Sequence, residues 1–342
     1  MPNPLVTRAL DEVASGRDLS EDQAAAVLDE IMAGEVADAQ IAGFLIALRT
    51  KGETEEELAG LARTMRERAA RVEVSGDDLL DTAGTGGGRS TFNVSTTAAF
   101  VAAGAGCRLA KHGNRSATSR SGSADVLEAL GARIDLGPAA VARCVEEVGF
   151  GFLFAPNHHA ATRFVVPVRK ELAVRTVFNF LGPLTNPAGA QRQLVGVSDA
   201  SMLDRMAGAL RRLGATRALV VSAEDGLDEM STSGPTRVVE VEGDEVRSYI
   251  VEPGDLGLDA ADPAAVTGGT PAENAAVVCR VLAGEPGPAR DLVLANAGAA
   301  LLAAGRVEDL RGGVVRAAEA VDSGAAASVL ERFVARTREL AP

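Results

Sequence analysis

The chain has 342 residues, of which 46% are apolar, 24% charged and 3% aromatic, with no tryptophan. That composition fits a globular protein with room for two domains, packed on Ala, Val and Leu and poor in rings on which bases could stack. A formal charge of −13 argues against nucleic acid or an anionic membrane as the main partner, and three cysteines at unrelated spacings argue against a disulfide framework or a zinc site. With neither a cationic leader nor a window of about 18 unbroken apolar residues, the chain is expected in a reducing cytoplasm, neither exported nor membrane-spanning.

Residues 1–70 read as helix throughout. Ser20 with Gln23 and Thr54 with Glu57 have the spacing of capping boxes, each opening an amphipathic run, and Gly34 and Gly52 fall where helices stop. Ile41, Phe44, Leu45 and Leu48 make an apolar stripe at helical spacing that reads as core. A block of short helices this small is expected to bury part of its apolar surface in a dimer.

From Asp77 strands and helices alternate: LLDTAG, a helix near 94–104, CRLAKHG, a helix near 122–130, ARIDL, a helix near 138–148, and GFGFLFAP. Leu79 and Leu80 read as the end of the first strand. The alternation signals a mostly parallel sheet covered by helices, in which ligands bind beyond the carboxyl ends of the strands. Residues 167–181 read as helix and 182–189, GPLTNPAG, as a turn-rich stop. Strands resume at QLVGV, RALVVSAED, TRVVEVEG and EVRSYIVEP, the last two as a hairpin across Gly243-Asp244. The final third reads as helical apart from breaks at 284–288.

The chemistry concentrates in three places. Residues 81–96, DTAGTGGGRSTFNVST, put four glycines and six hydroxyl side chains into one strand-to-helix turn. Glycines let backbone N–H groups approach an anion, and the helix that follows offers unpaired N–H groups and a positive dipole end, with Asn93 at the N-cap and Ser95 and Thr96 in the first turn. The stretch is neither a Walker loop nor G-x-G-x-x-G, so a phosphate ester of another presentation is expected. A second cradle, residues 111–131, opens from a strand and closes into a helix; Lys111 and Arg115 supply charge, and Asn114, Ser116, Thr118, Ser119, Ser121 and Ser123 supply polar groups. Third, Asp225, Asp228 and Glu229 are either a plain solvated turn or, placed opposite a diphosphate, holders of hydrated Mg²⁺. Among Arg163, Arg169, Lys170 and Arg175, one is expected to grip an organic acid and three to be surface charge. His112 has no acidic neighbour in sequence and is assigned no proton transfer; it could shape the pocket of an aromatic ligand.

Together these segments resemble the anthranilate phosphoribosyltransferases, tryptophan-pathway enzymes that join anthranilate to 5-phosphoribosyl-1-diphosphate. The resemblance runs over nearly the whole length: GTGG at 84–87, TFNVST at 91–96, KHGNRSATSRSGSADVLEALG, VRKELAVRTVFNFLGPLTNPAG at 168–189, and DGLDE. It implies a cytoplasmic, Mg²⁺-using glycosyltransferase with a phosphorylase-like α/β architecture. A small helical domain (residues 1–72 plus about 166–190) would carry the interface of a homodimer, and a larger α/β domain with a mostly parallel sheet (73–165 and 191–342) would bind the diphosphate substrate.

Carried over residue by residue, Gly84, Gly87, Gly88, Thr91, Asn93, Val94, Ser95, Thr96, Lys111, His112, Gly113, Asn114, Arg115, Ser116, Ala117, Thr118, Ser119 and Ser123 are expected around the phosphoribosyl diphosphate. Gly84, His112, Asn114 and Arg169 are expected along the anthranilate path, with Arg169 on its carboxylate. Ser95, Asp228 and Glu229 are expected at Mg²⁺, and no residue is assigned as acid or base. The chain departs from the family's GTGGDG by having Gly88 in place of the Asp in a loop one residue shorter. It reads His159-Ala160-Ala161-Thr162-Arg163 for His-Pro-Ala-Met-Lys and carries Ala173 where Gly is usual. The nearest alternative is a pyrimidine nucleoside phosphorylase; a further one is a paralogue with another acceptor or a nucleic-acid-binding role, which the charge of −13 and Arg169 oppose.

Overall fold

In the computed structural model, which describes residues 1–116 and 119–341, the first 67 residues fold into the helices Pro4–Ala14, Glu21–Ala33, Asp38–Lys51 and Glu55–Glu67. Both capping boxes form. Ser20 Oγ accepts the Gln23 N–H at 3.2 Å while Gln23 Oε1 accepts the Ser20 N–H at 2.8 Å, and Thr54 and Glu57 repeat the exchange at 3.2 and 2.9 Å. Gly34 ends the second helix at φ 82°, a left-handed turn that costs glycine little. The stripe Ile41, Phe44, Leu45 and Leu48 is buried, and Val165, Val168, Val177, Phe180, Leu181 and Leu184 enter the same apolar cluster.

The helix expected over 167–181 is two shorter ones, Val166–Leu172 and Phe178–Leu181. Ala173 interrupts it, at φ 53° the only non-glycine residue with positive φ among those described. A left-handed residue stops the helix after its own N–H has closed the last turn, here Ala173 N donating to Arg169 O at 3.1 Å.

Seven strands form one sheet: β1 Leu79–Gly84, β2 Arg108–Gly113, β3 Phe150–Phe154, β4 Arg192–Gly196, β5 Arg217–Ala223, β6 Thr236–Glu242 and β7 Glu245–Val251. Their order is β3-β2-β1-β4-β5-β6-β7, parallel from β3 to β5 and antiparallel for β6 and β7, whose hairpin turns at Gly243. Leu79 and Leu80 open β1 instead of closing it. ARIDL makes no strand. Ala132, Ile134 and Leu136 alternate into the core, but β2 already has β1 on one side and β3 on the other.

Alternation along β4 and β5 divides the apolar residues between two cores. Leu194, Leu219 and Val221 face the cluster that holds helices Val94–Gly104 and Pro288–Ala303, whereas Val195, Ala218 and Val220 face the cluster that holds helix Leu203–Arg212 and the N-terminal helices. Strand order reverses between β1 and β4. The crevice beyond their carboxyl ends is where a sheet of this kind leaves room for a ligand.

Candidate active site

β1 delivers the glycine turn into that crevice. Gly86 and Gly87 take φ of 65° and 82°, and the turn lies directly on the acidic segment that follows β5: Gly86 N donates to Asp228 Oδ2 at 2.9 Å and Arg89 N to Gly226 O at 2.8 Å. The contact leaves no space for side chains. A Cβ at Gly88 would stand 2.7 Å from Gly226 O and 2.8 Å from Asp228 Oδ1, and one at Gly84 would stand 3.1 Å from Asp228 Oδ2. The carboxylate absent from position 88 therefore has no place here. The end of the shorter loop is tied down by Arg89, which pairs with Asp225 at 2.9 Å and donates to Pro263 O at 2.8 Å.

Helix Val94–Gly104 starts at Asn93, but Asn93 does not cap it. Its amide Nδ2 donates to Ser121 O at 3.1 Å, and its Oδ1 accepts from Ser121 Oγ at 3.1 Å and from Asn274 Nδ2 at 3.0 Å. Asn93 thus joins the two cradles to each other and to helix Pro271–Leu282, and its side chain caps nothing. Thr91, on the same edge, bridges Thr267. Val94 is buried and Ser95 half-buried at the open helix end, and Thr96 Oγ1 is buried without a hydrogen-bond partner. No sequence signal pointed to Asn274, since its partner lies 181 residues away.

In the second cradle the hydroxyls bond mainly to one another and to the backbone. Ser116 Oγ and Ser119 Oγ are 2.6 Å apart, Ser119 Oγ donates to Ser121 O at 3.2 Å, and Ser123 Oγ to Asn114 O at 3.2 Å. Gly113 is required beside them, because a Cβ there would meet Ser123 Oγ at 2.3 Å. Asn114 is exposed and accepts the Arg115 N–H. Arg115 turns to the helix Ser123–Ala129, pairing with Asp125 at 2.9 Å and Glu128 at 2.5 Å. Ala117 and Thr118 lie outside the described residues.

Beneath the cradles runs a buried polar layer. The Lys111 ammonium donates to the carbonyl and, at 3.1 Å, to the hydroxyl of Thr82; burial lowers its pKa against the pull of Asp81 and Glu229. Asp81 accepts the His112 N–H at 3.1 Å and Asn186 Nδ2 at 2.8 Å, and burial pushes its carboxyl up to about 6. His112 Nδ1 faces Gly182 O at 3.0 Å, which makes Nδ1 the protonated nitrogen and leaves Nε2 a buried acceptor without a partner. His159 also has a partnerless buried Nε2, and its ring centroid is 5.1 Å from that of His112. Burial, with His159 second for His112 and His158 second for His159, lowers the two to about 3 and about 4. Both are neutral at physiological pH. Only the burial of His159 identifies it, for in sequence it is one of two adjacent histidines.

None of the four cations near Pro167 has a carboxylate partner among the described residues; Arg169 is half-buried over the Phe178 ring at 5.4 Å, and burial lowers its pKa. Arg163 is exposed against Phe164 and Lys170 is exposed. Arg175 departs from the surface-charge expectation: it reaches the glycine turn, donating to Gly86 O at 3.3 Å and Ser198 Oγ at 3.2 Å.

Asp228 and Glu229 are both raised by burial, Glu229 further by Asp228, while Ser95 draws Glu229 back toward its charged form. Two carboxylates strained as anions beside a hydroxyl are a hard-oxygen donor set suited to Mg²⁺. Among the described residues no cluster of three or more His, Cys, Asp or Glu is placed to hold a metal by itself. A divalent cation here would need ligand oxygens to complete its shell.

Residues 76–327 match the α/β domain of the glycosyl transferase family and residues 7–69 its helical bundle domain. The chain is 51% identical to an anthranilate phosphoribosyltransferase of Desulfatibacillum aliphaticivorans, over 98% of this chain and 99% of that protein, and 55% identical to one of Symbiobacterium thermophilum over 97% of each. It belongs to the anthranilate phosphoribosyltransferase family. Solved structures agree. The enzyme of Thermus thermophilus superposes with a TM-score of 0.92 at 49% identity, covering 96% of this chain and 99% of that one. That of Saccharomyces cerevisiae, in complex with PRPP and Mg, superposes with a TM-score of 0.89 at 28% identity over 98% of each.

Proposed function

We propose that the chain transfers the phosphoribosyl group of 5-phosphoribosyl-1-diphosphate to the amine of anthranilate in tryptophan biosynthesis, giving N-(5-phosphoribosyl)anthranilate and diphosphate. The observation that carries this reading is the placement of two unlike half-sites at one switch point. A glycine turn in contact with an acidic pair, beside an uncapped helix end, forms one, and two neutral imidazoles 5.1 Å apart at the end of β2 form the other.

The ribosyl diphosphate is taken by Gly84, Gly87, Gly88, the open end of helix Val94–Gly104 and the second cradle, whose backbone N–H groups and dipole favour anions. Asp228, Glu229 and Ser95 would hold Mg²⁺, which neutralises charge on the departing diphosphate. Arg169 grips the anthranilate carboxylate with its planar fork. The Nε2 atoms of His112 and His159 accept the amine N–H groups, which turns the nitrogen lone pair toward C1 of the ribose; holding the two reactants in line supplies the proximity term. An arylamine is nucleophilic without a base. The amine proton leaves once the C–N bond has formed, to water, because both rings are too weakly basic to keep it.

Mg²⁺ dependence, a homodimer built through the helical domain, a cytoplasmic location and the domain division at about residues 72, 166 and 190 belong to the same reading. Among the described residues no helix is long and apolar enough to cross a membrane.

Mixing the protein with Mg²⁺, anthranilate and phosphoribosyl diphosphate and following anthranilate fluorescence tests the activity; the signal should decay, and no decay at high enzyme concentration would sink the proposal. Light scattering tests the dimer.

A further inference from the structure

Arg175 joins the helical segment to the glycine turn, and the anion reading of that turn does not account for it. Its backbone is fixed on the helical side, where its carbonyl accepts Arg49 Nη1 at 2.9 Å. Its guanidinium crosses the crevice with the Phe180 ring 5.7 Å away and donates through Nη2 to Gly86 O at 3.3 Å and Ser198 Oγ at 3.2 Å. Ser198 completes a triangle: its hydroxyl donates to the same Gly86 carbonyl at 2.8 Å, and its N–H donates to Thr85 Oγ1 at 3.1 Å. The guanidinium also fills the space over Gly87, where a Cβ would lie 2.8 Å from Nη1.

The geometry points to Arg175 as a positioning residue that aims the glycine turn at the diphosphate. The Gly86 carbonyl and the Gly87 N–H belong to one trans peptide plane and point in opposite directions. Fixing the carbonyl toward Arg175 and Ser198 therefore fixes the Gly87 N–H toward the other side, where it donates to no described residue. Without that anchor two successive glycines at positive φ can turn the peptide over at little steric cost. Arg175 acts from the same segment that carries Arg169, so one element addresses both substrates. Its charge also favours the ionised form of Asp228.

The inference rests on the reading of the turn as the diphosphate site, and three variants separate the two. With Mg²⁺ saturating, Arg175→Ala should raise the KM for phosphoribosyl diphosphate about tenfold, the worth of a charge-assisted hydrogen bond, and move the KM for anthranilate by less than about twofold. Ser198→Ala should move the same constant in the same direction by less. Combining the two should add little to Arg175→Ala alone, because both act through one carbonyl. Arg175→Lys, which keeps the charge but not the fork, covers the case in which the alanine variant does not fold. An unchanged KM for phosphoribosyl diphosphate, or equal rises in both KM values, would overturn the role of Arg175. Asp228→Asn is the control: if it raises the metal and diphosphate requirement while the Arg175 variants do nothing, only the positioning role falls, and if neither responds the site reading falls with it.

Discussion

The imidazoles of His112 and His159 lie 5.1 Å apart, tilted by 55°, each with a buried Nε2 that no described residue satisfies. Two adjacent acceptors without donors cost stability in a folded chain, and they persist where a ligand brings the donors.

The pair should make the protein acid-labile. Above about pH 6.5 both rings are neutral folded or unfolded and contribute nothing; below it the unfolded chain takes up protons that the folded rings, at about 3 and about 4, refuse. Stability is therefore lost as pH falls from about 6.5 toward 4, on the order of 2 kcal/mol per ring at pH 5. His159→Asn, which keeps a donor for the Thr185 carbonyl, should flatten this loss when urea midpoints are compared between pH 7.5 and 5. Asp81, raised to about 6, works in the opposite direction but does so in both proteins, so the difference isolates the ring. Parallel pH profiles for the two proteins would contradict the burial argument.

Restoring the family's acid at position 88 should do harm. In Gly88→Asp the new Cβ meets Gly226 O and Asp228 Oδ1 inside contact distance and adds a like charge beside Asp228. A loss of about 1–3 kcal/mol in stability is expected, together with a higher Mg²⁺ requirement, read by calorimetry and by activity against metal concentration.

Asn274→Asp tests the amide that joins the cradles. The substitution keeps the acceptor for Gly269 N but replaces the donor to Asn93 Oδ1 with a second oxygen at about the present 3.0 Å. Facing oxygens in a buried site should cost about 2–4 kcal/mol. The KM for phosphoribosyl diphosphate should rise more than that for anthranilate; steady-state kinetics at fixed metal would reveal the split.

Ala173→Gly should stabilise. Ala173 is exposed, so nothing but its left-handed φ of 53° distinguishes it. Relief of about 1–2 kcal/mol of strain, offset by the greater freedom of unfolded glycine, leaves about 0.5–1 kcal/mol and a rise of about 1–2 °C in Tm. An unchanged or lower Tm would mean the helix end is held in some other way.

What could be read in the sequence was chemistry local to a few residues. Capping boxes, the Gly243 hairpin and the glycine turn at the end of β1 depend on neighbours three or four positions apart. ARIDL carries a strand's alternation, yet pairing is decided by the assembled sheet, in which β2 is taken on both sides and ARIDL joins neither it nor the outer edge of β3. Asn93 has the composition of a cap, but its amide is used by Ser121 and Asn274, a choice that exists only after the chain has brought the second cradle and helix Pro271–Leu282 alongside. Arg115 finds Asp125 and Glu128 only when helix Ser123–Ala129 forms and packs beside its loop, and Arg175 finds Gly86 only across the crevice. Long-range polar contacts of this kind leave no periodicity to detect.

The face of β4, β5 and β6 that carries Val195, Ala218, Val220, Val239 and Val241 has no solvent-facing side of its own; it completes the apolar cluster that begins at Val6. The helical domain is in this respect the second wall of the sheet. A fragment lacking it would present a bare valine-rich surface around helix Leu203–Arg212, prone to self-association, and in the whole protein heat should melt helices and sheet together as one calorimetric peak.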